Sequence, residues 1–550
     1  MKKLILLFAF LYCINPLYSQ NKNEYLVAYG QTWGFLKYFH PHPSSVNWDT
    51  SLLNDYDKVK NCSTDIVFNE IIADLISQCG DYKKYERQLA DSLVFTQSFE
   101  WMNKPLLSEA NKSYLKELKN NKPKFKNKYV QINRNAFNPI IKNEVNYADS
   151  LFSNSVCYLG ITRYWNVINY YFPYRRIIKH NWDSIYLKLV PEFISLSDMD
   201  DYYLAVRRLN AKISDGHGFI RTKKNLYSKY GKPKIWCKVL SGETLIDYIE
   251  PTCKTNLKKA DRIISIDNVS VEDKWAEFSD VYPASNDHYL KKDPYYLVKT
   301  LNDSIELTVK RGDSLITEKL EVFPIQKYIP KKKSKKASTI KKKASYYILP
   351  NDSSLTTGYI HMGRLEGKDL DKEFKKTILN TKNLIIDCRF YPKMIYKSLC
   401  NILLKEPRGF CIWARINFDY PGSIIKETTK TGKKNKNYYK GNIYLLVDNT
   451  TMSLSEFTVM ALQAADNVIT IGGQTAGADG DVSSVPMPFG LNSYFSGCGV
   501  YYPNGDATQQ VGVRRDYKLV QDSSYLNGND KILNYALELI RKSKKDNSQF

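Results

Sequence analysis

The chain has 550 residues, 43% of them apolar, enough for several domains that each bury a core, and it carries a formal charge of +23. Beyond the first twenty residues no apolar run approaches the length of a membrane-spanning helix. No C-x-x-C pair or Cys/His cluster has zinc-like spacing, so a structural zinc fold is excluded.

In chain order, MKKLILLFAFLYCINPLYSQ (1–20) has two lysines, an apolar run from Leu4 to Leu11, then Pro16 and a small Ser19. That is the order of a secretory signal peptide, with cleavage expected near Ser19/Gln20 and export to the periplasm or cell envelope of a bacterium. Its removal takes away Lys2, Lys3 and Cys13 and leaves nine of the ten cysteines. An odd number implies a free thiol; the scattered Cys157, Cys388 and Cys400 read as small buried hydrophobes, and a Cys62–Cys79 disulfide stays open.

A helical N-terminal region is expected over 21–145, and a second helical segment over 150–228. Residues 33–49 (WGFLKYFHPHPSSVNWD) echo 165–183 (WNVINYYFPYRRIIKHNWD), with eight residues from Trp to Pro in both. Each copy predicts an amphipathic helix stopped by proline, a loop, and a helix capped by aspartate, Asp49 or Asp183. From 229 to 326 short alternating strands (IWCKVL, TLIDYIE, DRIISIDN, SIELTVKRG, KLEVFP) mark a β-rich module. A lysine-rich linker follows (327–345). The lysine runs 331–343, 426–440 and 541–545 read as solvated loops. Their other use would be contact with nucleic acid or an anionic envelope surface, and export argues against nucleic acid.

Residues 346–525 alternate buried strands and helices: GYIHMG, NLIIDCR, a helix through 394–405, NIYLLVD, a helix over 453–466, and VITIGGQ. This order predicts an α/β domain with a largely parallel sheet. A C-terminal helix and basic tail complete the chain (526–550). Within the core, Ser453-Leu-Ser-Glu456 lies past the end of a strand and at the start of a helix. Such a place suits a nucleophile, because free N–H groups and the helix dipole favour an oxyanion there. Read locally, however, the capping box S-x-x-E accounts for the same residues.

VDNTTMSLSEFTVMAL…VITIGGQTAGADG resembles the core of the tail-specific, or C-terminal processing, serine peptidases and the related tricorn-like proteases. NLIIDCRFYP is similar to that family's strand before the oxyanion loop, LKKADRIISIDNVSV (257–271) to a PDZ signature, and LNAKISDGHGF (209–219) to the histidine segment of the tricorn-like branch. The resemblance implies a ClpP/crotonase-like core, a PDZ-like domain, a polypeptide substrate, and no metal or organic cofactor. It assigns the nucleophile to Ser453. The Ser/Lys branch has a lysine 25 residues further on, where this chain has Ala478, so the general base it implies is His217. The tricorn-like pattern expects a serine before the histidine and a glutamate near the C-terminal element. Here Gly216 and Gln509 or Gln510 stand instead, with Asp215 and Asp506 as further candidates for orienting the ring. Leu454 N–H and an N–H from Tyr391 or Lys393 are expected to form the oxyanion hole, Pro392 having none. At Ala260 and Asn268 the PDZ signature usually has glycine. The reading is an exported serine endopeptidase. The alternative is a catalytically impaired relative that binds peptide or envelope.

Overall fold

The computed structural model describes residues 23–41, 46–82, 94–95, 97–121, 126–222, 230–325, 344–349 and 357–546. The expected signal peptide and most of the lysine-rich linker, including the 331–343 run, lie outside the described residues.

The N-terminal region is built around the sequence echo. A helix over 23–39 ends before Pro41, and Asn154–Tyr171 ends before Pro173. Each is followed by a second helix, Trp48–Lys60 or Trp182–Phe193. The caps are Asn47 and Asn181, whose side chains accept the N–H of Thr50 and Ser184, rather than the expected Asp49 and Asp183, which lie within the first turns. A tryptophan joins the helices of each copy: Trp33 Nε1 donates to Trp48 O (2.7 Å) and Trp165 Nε1 to Trp182 O (2.9 Å). The two copies cross closely, because a Cβ at Gly34 would lie 2.0 Å from Asn166, whose amide donates to Gly30 O.

This region shares one apolar core with the 346–525 domain, in which Trp165, Tyr171 and Phe172 pack with Val485, Met487 and Phe495. Polar ties reinforce the join: Arg163 Nη1 donates to Pro486 O (2.9 Å) and Asn138 Nδ2 to Val482 O (2.8 Å). Arg163 is itself buried between Asp49 (2.7 Å) and Glu144 (3.0 Å), and Glu144 also holds Lys37. Such a buried cluster is costly to break from one side.

The module predicted over 229–326 forms an antiparallel sheet, Ser314–Glu321, Ser304–Arg311, Arg262–Ile266, Glu243–Ile249 and Ile235–Leu240 in that order, with helix Val271–Val281 against it. Ala260 (φ 72°) and Asn268 (φ 61°) both occupy the left-handed region. That conformation explains why glycine is usual at both places, and alanine carries the greater strain. Ala260→Gly is expected to stabilise the protein by about 0.5–1 kcal/mol, the relief being partly offset by unfolded-chain entropy. A thermal melt that shifts downward would contradict this.

In the core, strands Thr357–His361, Asn383–Asp387, Asn442–Val447 and Val468–Gly472 are parallel neighbours, as predicted. Helices Lys372–Leu379, Tyr396–Leu403 and Leu454–Leu462 cover one face. The C-terminal helix Lys531–Asp546 covers the other through Ile532, Ala536 and Ile540. Residues 423–431, taken in part as a lysine-rich loop, instead pair with Arg408–Ile416 as a long antiparallel strand. Its lysines project from a half-exposed face. All nine described cysteines are free, Cys62 and Cys79 included, and seven are buried. Among the described residues no helix is long and apolar enough to cross a membrane.

Candidate active site

Strand Asn442–Val447 delivers the chain to a turn that ends at Ser453, and helix Leu454–Leu462 starts immediately after. Ser453 has φ 54° and ψ −125°, a conformation that a residue with a Cβ rarely adopts. Its N–H donates to Ala478 O (3.0 Å) and to Glu456 Oε2 (3.3 Å). Glu456 is buried and accepts three more hydrogen bonds, from Thr475 Oγ1 (2.6 Å), Gly477 N–H (2.8 Å) and Ala478 N–H (3.0 Å). Burial pushes its carboxyl up to about 6, and the four donors oppose that rise. Glu456 therefore clamps the 475–478 loop to the Ser453 turn, beyond the helix-capping duty expected of it. Ser455 does not cap; its Oγ donates to Cys388 O (2.6 Å).

That bond, with Thr450 Oγ1 to Arg389 O (2.6 Å), ties the Ser453 turn to the loop after Arg389. Arg389 is held by Asp387 (2.7 Å) and Asp530 (2.8 Å). Tyr391 is 58% exposed in this loop, with Phe390 and Met394 exposed beside it. Among the described residues the N–H groups of Leu454, Tyr391 and Lys393 have no internal acceptor.

His217 arrives from another direction. Strand Ile220–Thr222 pairs antiparallel with Leu491–Ser496, matching Ile220 to Ser493. Continuing that register backward sets His217 against Ser496. Nδ1 of His217 lies 2.9 Å from Ser496 Oγ, and Ser496 Oγ donates to Asp215 Oδ1 (2.9 Å). Asp215 is fully buried and also accepts Ser496 N–H (2.6 Å), His217 N–H (3.1 Å) and Gln509 Nε2 (3.1 Å). The single hydroxyl proton of Ser496 goes to a carboxylate that can only accept, so Ser496 Oγ receives the proton of His217 Nδ1. The ring's lone pair is thereby left on Nε2. Burial lowers the His217 pKa below its ordinary 6.5, and Asp215 only partly opposes this.

Ser496 was not identified in the sequence. It occupies the role expected of a serine at 216, where Gly216 instead allows close approach: a Cβ there would lie 2.9 Å from Ala478 Cβ. Gln509 supports Asp215 and does not touch the ring. Gln510 is not an orienting residue, because its amide reaches Ile177 O (3.3 Å) and Ser214 O (3.5 Å). Asp506 is likewise removed, paired with Arg514 at the surface (2.7 Å). Ala478 touches both halves, standing beside Gly216 and accepting the Ser453 N–H. Asn286 adds a staple through Thr475 O (2.9 Å) and Ala476 O (3.0 Å). Among the described residues no hydrogen bond joins Ser453 Oγ directly to His217.

Residues 356–519 match the model of peptidase family S41. No curated protein matches the chain in sequence. Among solved structures, mature CPAF is similar over 68% of this chain and 96% of its own, at 13% identity and a TM-score of 0.51. CPAF complexed with lactacystin gives 11% identity, 68% and 97% coverage and the same TM-score. A putative peptidase from Parabacteroides merdae covers 71% of this chain and 97% of its own, at 14% identity and a TM-score of 0.44. At such identities the CPAF likeness speaks for the fold. Residues 356–519 are thus a peptidase family S41 domain, the family of the tail-specific serine peptidases whose motifs the chain resembles.

Proposed function

We propose that the protein is an exported serine endopeptidase in which Ser453 attacks the peptide carbonyl and His217 Nε2 takes the Oγ proton. The observation that carries this reading is the hydrogen-bond series from His217 Nδ1 through Ser496 to Asp215, since it leaves Nε2 as the ring's free base. A serine needs such a base to become nucleophilic. The oxyanion that forms as Oγ bonds to carbon is met by Leu454 N–H at the helix start, with Tyr391 N–H as the second donor. The imidazolium then gives its proton to the leaving amine, the C–N bond breaks, and water resolves the acyl-enzyme by the same path in reverse. Ser496 and Asp215 act as positioning residues. The 229–326 module supplies a groove of about 470 Å³ between helix Val271–Val281 and strand Arg262–Ile266; that strand already has neighbours on both sides, so a bound peptide would meet the groove's side chains and not extend the sheet there.

Labelling with a fluorophosphonate probe tests this. The wild type is expected to label and Ser453→Ala not to. His217 is the neutral base above its folded pKa, which lies below 6.5, so the labelling rate is expected to be flat at neutral pH and to fall only on acidification below about 6.5. Equal labelling of wild type and Ser453→Ala would remove the nucleophile from the proposal. No labelling of either would favour the peptide-binding alternative.

A further inference from the structure

A cavity of about 660 Å³ lies between the 229–326 module and the S41 domain, within the size range of small-ligand sites. Its position relates it to Ser453. Thr450, three residues before the serine, lines it, as does Phe390, which immediately precedes Tyr391 of the oxyanion loop. One wall is apolar, with Leu240, Val520 and Ile532 beside Phe390.

The opposite character comes from Lys238 and Lys292, which also line the cavity. Lys238 Nζ stands 4.2 Å over the Tyr525 ring and Lys292 Nζ 4.6 Å over Tyr289. Neither lysine forms an ion pair among the described residues. The other lining charges are already engaged. Lys291 pairs with Asp287 (2.8 Å), and Arg389 pairs with Asp387 and Asp530. Asp448 accepts Thr450 N–H (2.8 Å) and Oγ1 (2.6 Å). Burial disfavours the charged form of both Lys238 and Lys292, a cost that an anion placed beside them would offset. Asp448 and Asp530 reach Lys238, and Asp293 reaches Lys292, through longer-range attraction only, so apolar walls and two ammonium groups outside any direct ion pair fit a carboxylate side chain next to an apolar one.

We propose that this cavity is a subsite for an acidic residue of the bound polypeptide, with Lys238 and Lys292 as the groups that recognise its carboxylate. Only the cleavage of that polypeptide rests on the reading of Ser453; its binding does not. The test uses the full-length Ser453→Ala protein and two fluorescein-labelled peptides, identical except for a Leu-Glu-Leu or a Leu-Gln-Leu centre. At low salt the Glu peptide is expected to bind about tenfold more tightly by anisotropy, and the margin to shrink as salt rises. Lys238→Met/Lys292→Met, which keeps the alkyl stems, is expected to erase the margin, and Lys292→Gln alone to reduce it. Equal affinity of the two peptides for the parent protein, or a margin that survives in the folded double variant, would overturn the proposal. In wild type, cleavage of both peptides without preference would sink the subsite and leave the nucleophile standing. Tighter binding of the Glu peptide with no cleavage of either would do the reverse.

Discussion

Replacing Ser453 by alanine is expected to cut peptide hydrolysis by at least about 10⁴-fold, the loss met when a serine nucleophile is deleted from an otherwise intact site. The folded state is expected to survive. The contacts that fix the turn, Ser453 N–H to Ala478 O and to Glu456, are made by a main-chain group that alanine keeps. Ser453→Gly gives a sharper signature. Glycine relieves the φ 54°, ψ −125° conformation, worth about 1–3 kcal/mol at such positions, less the entropy that glycine adds to the unfolded chain. A variant that is inactive yet melts higher than wild type would show strain held for function. A Ser453→Gly protein that melts lower, or a Ser453→Ala protein that hydrolyses peptides like wild type, would count against the site.

Asp215→Asn is expected to lower kcat by up to about 10⁴-fold, the full loss following where the tautomer of His217 is switched, with binding of peptide little changed. The carboxylate accepts four donors, and an amide cannot accept at both ends. If the new NH₂ replaces Oδ2, it faces the Ser496 N–H, donor against donor. If it replaces Oδ1, it donates to Ser496 Oγ, whose own proton then turns to Nδ1 and moves the ring proton onto Nε2. The second seating removes the base; the first keeps it and leaves a buried donor unmatched, at about 1–3 kcal/mol of stability. Comparing kcat with KM, alongside a melt, separates the two: a fall in kcat beyond the loss of stability marks the second seating, and a fall in stability with kcat intact marks the first.

Much of the core was legible because its signals are local. Strands 383–387, 442–447 and 468–472 are continuous apolar runs, and the serine after the second of them stands where a strand gives way to a helix. The histidine turn was legible through its D-x-H-G pattern, which a few adjacent residues encode. Ser496 was not, because nothing near it in the chain marks it. Its partner lies 279 residues away and is matched only by the register of two short strands. Gln509 and Gln510 were equivalent as letters. They differ in backbone: Gln510 sits at φ 66°, and its amide is turned toward Ile177 and Ser214 while its neighbour's reaches Asp215. The capping residues of the repeated N-terminal helices were misjudged by two positions, since asparagine and aspartate cap equally well and both were present. The cavity at Lys238 and Lys292 is a product of tertiary packing alone.

The contact between Gly216 and Ala478 sets a rule of substitution for the whole site. Position 478 carries only a methyl group, and the histidine turn packs directly against it. A lysine at 478 would drive its side chain toward Gly216 and the His217 turn, while a bulkier residue at 216 would collide with Ala478 from the other side. The two positions can exchange chemistry only as a pair.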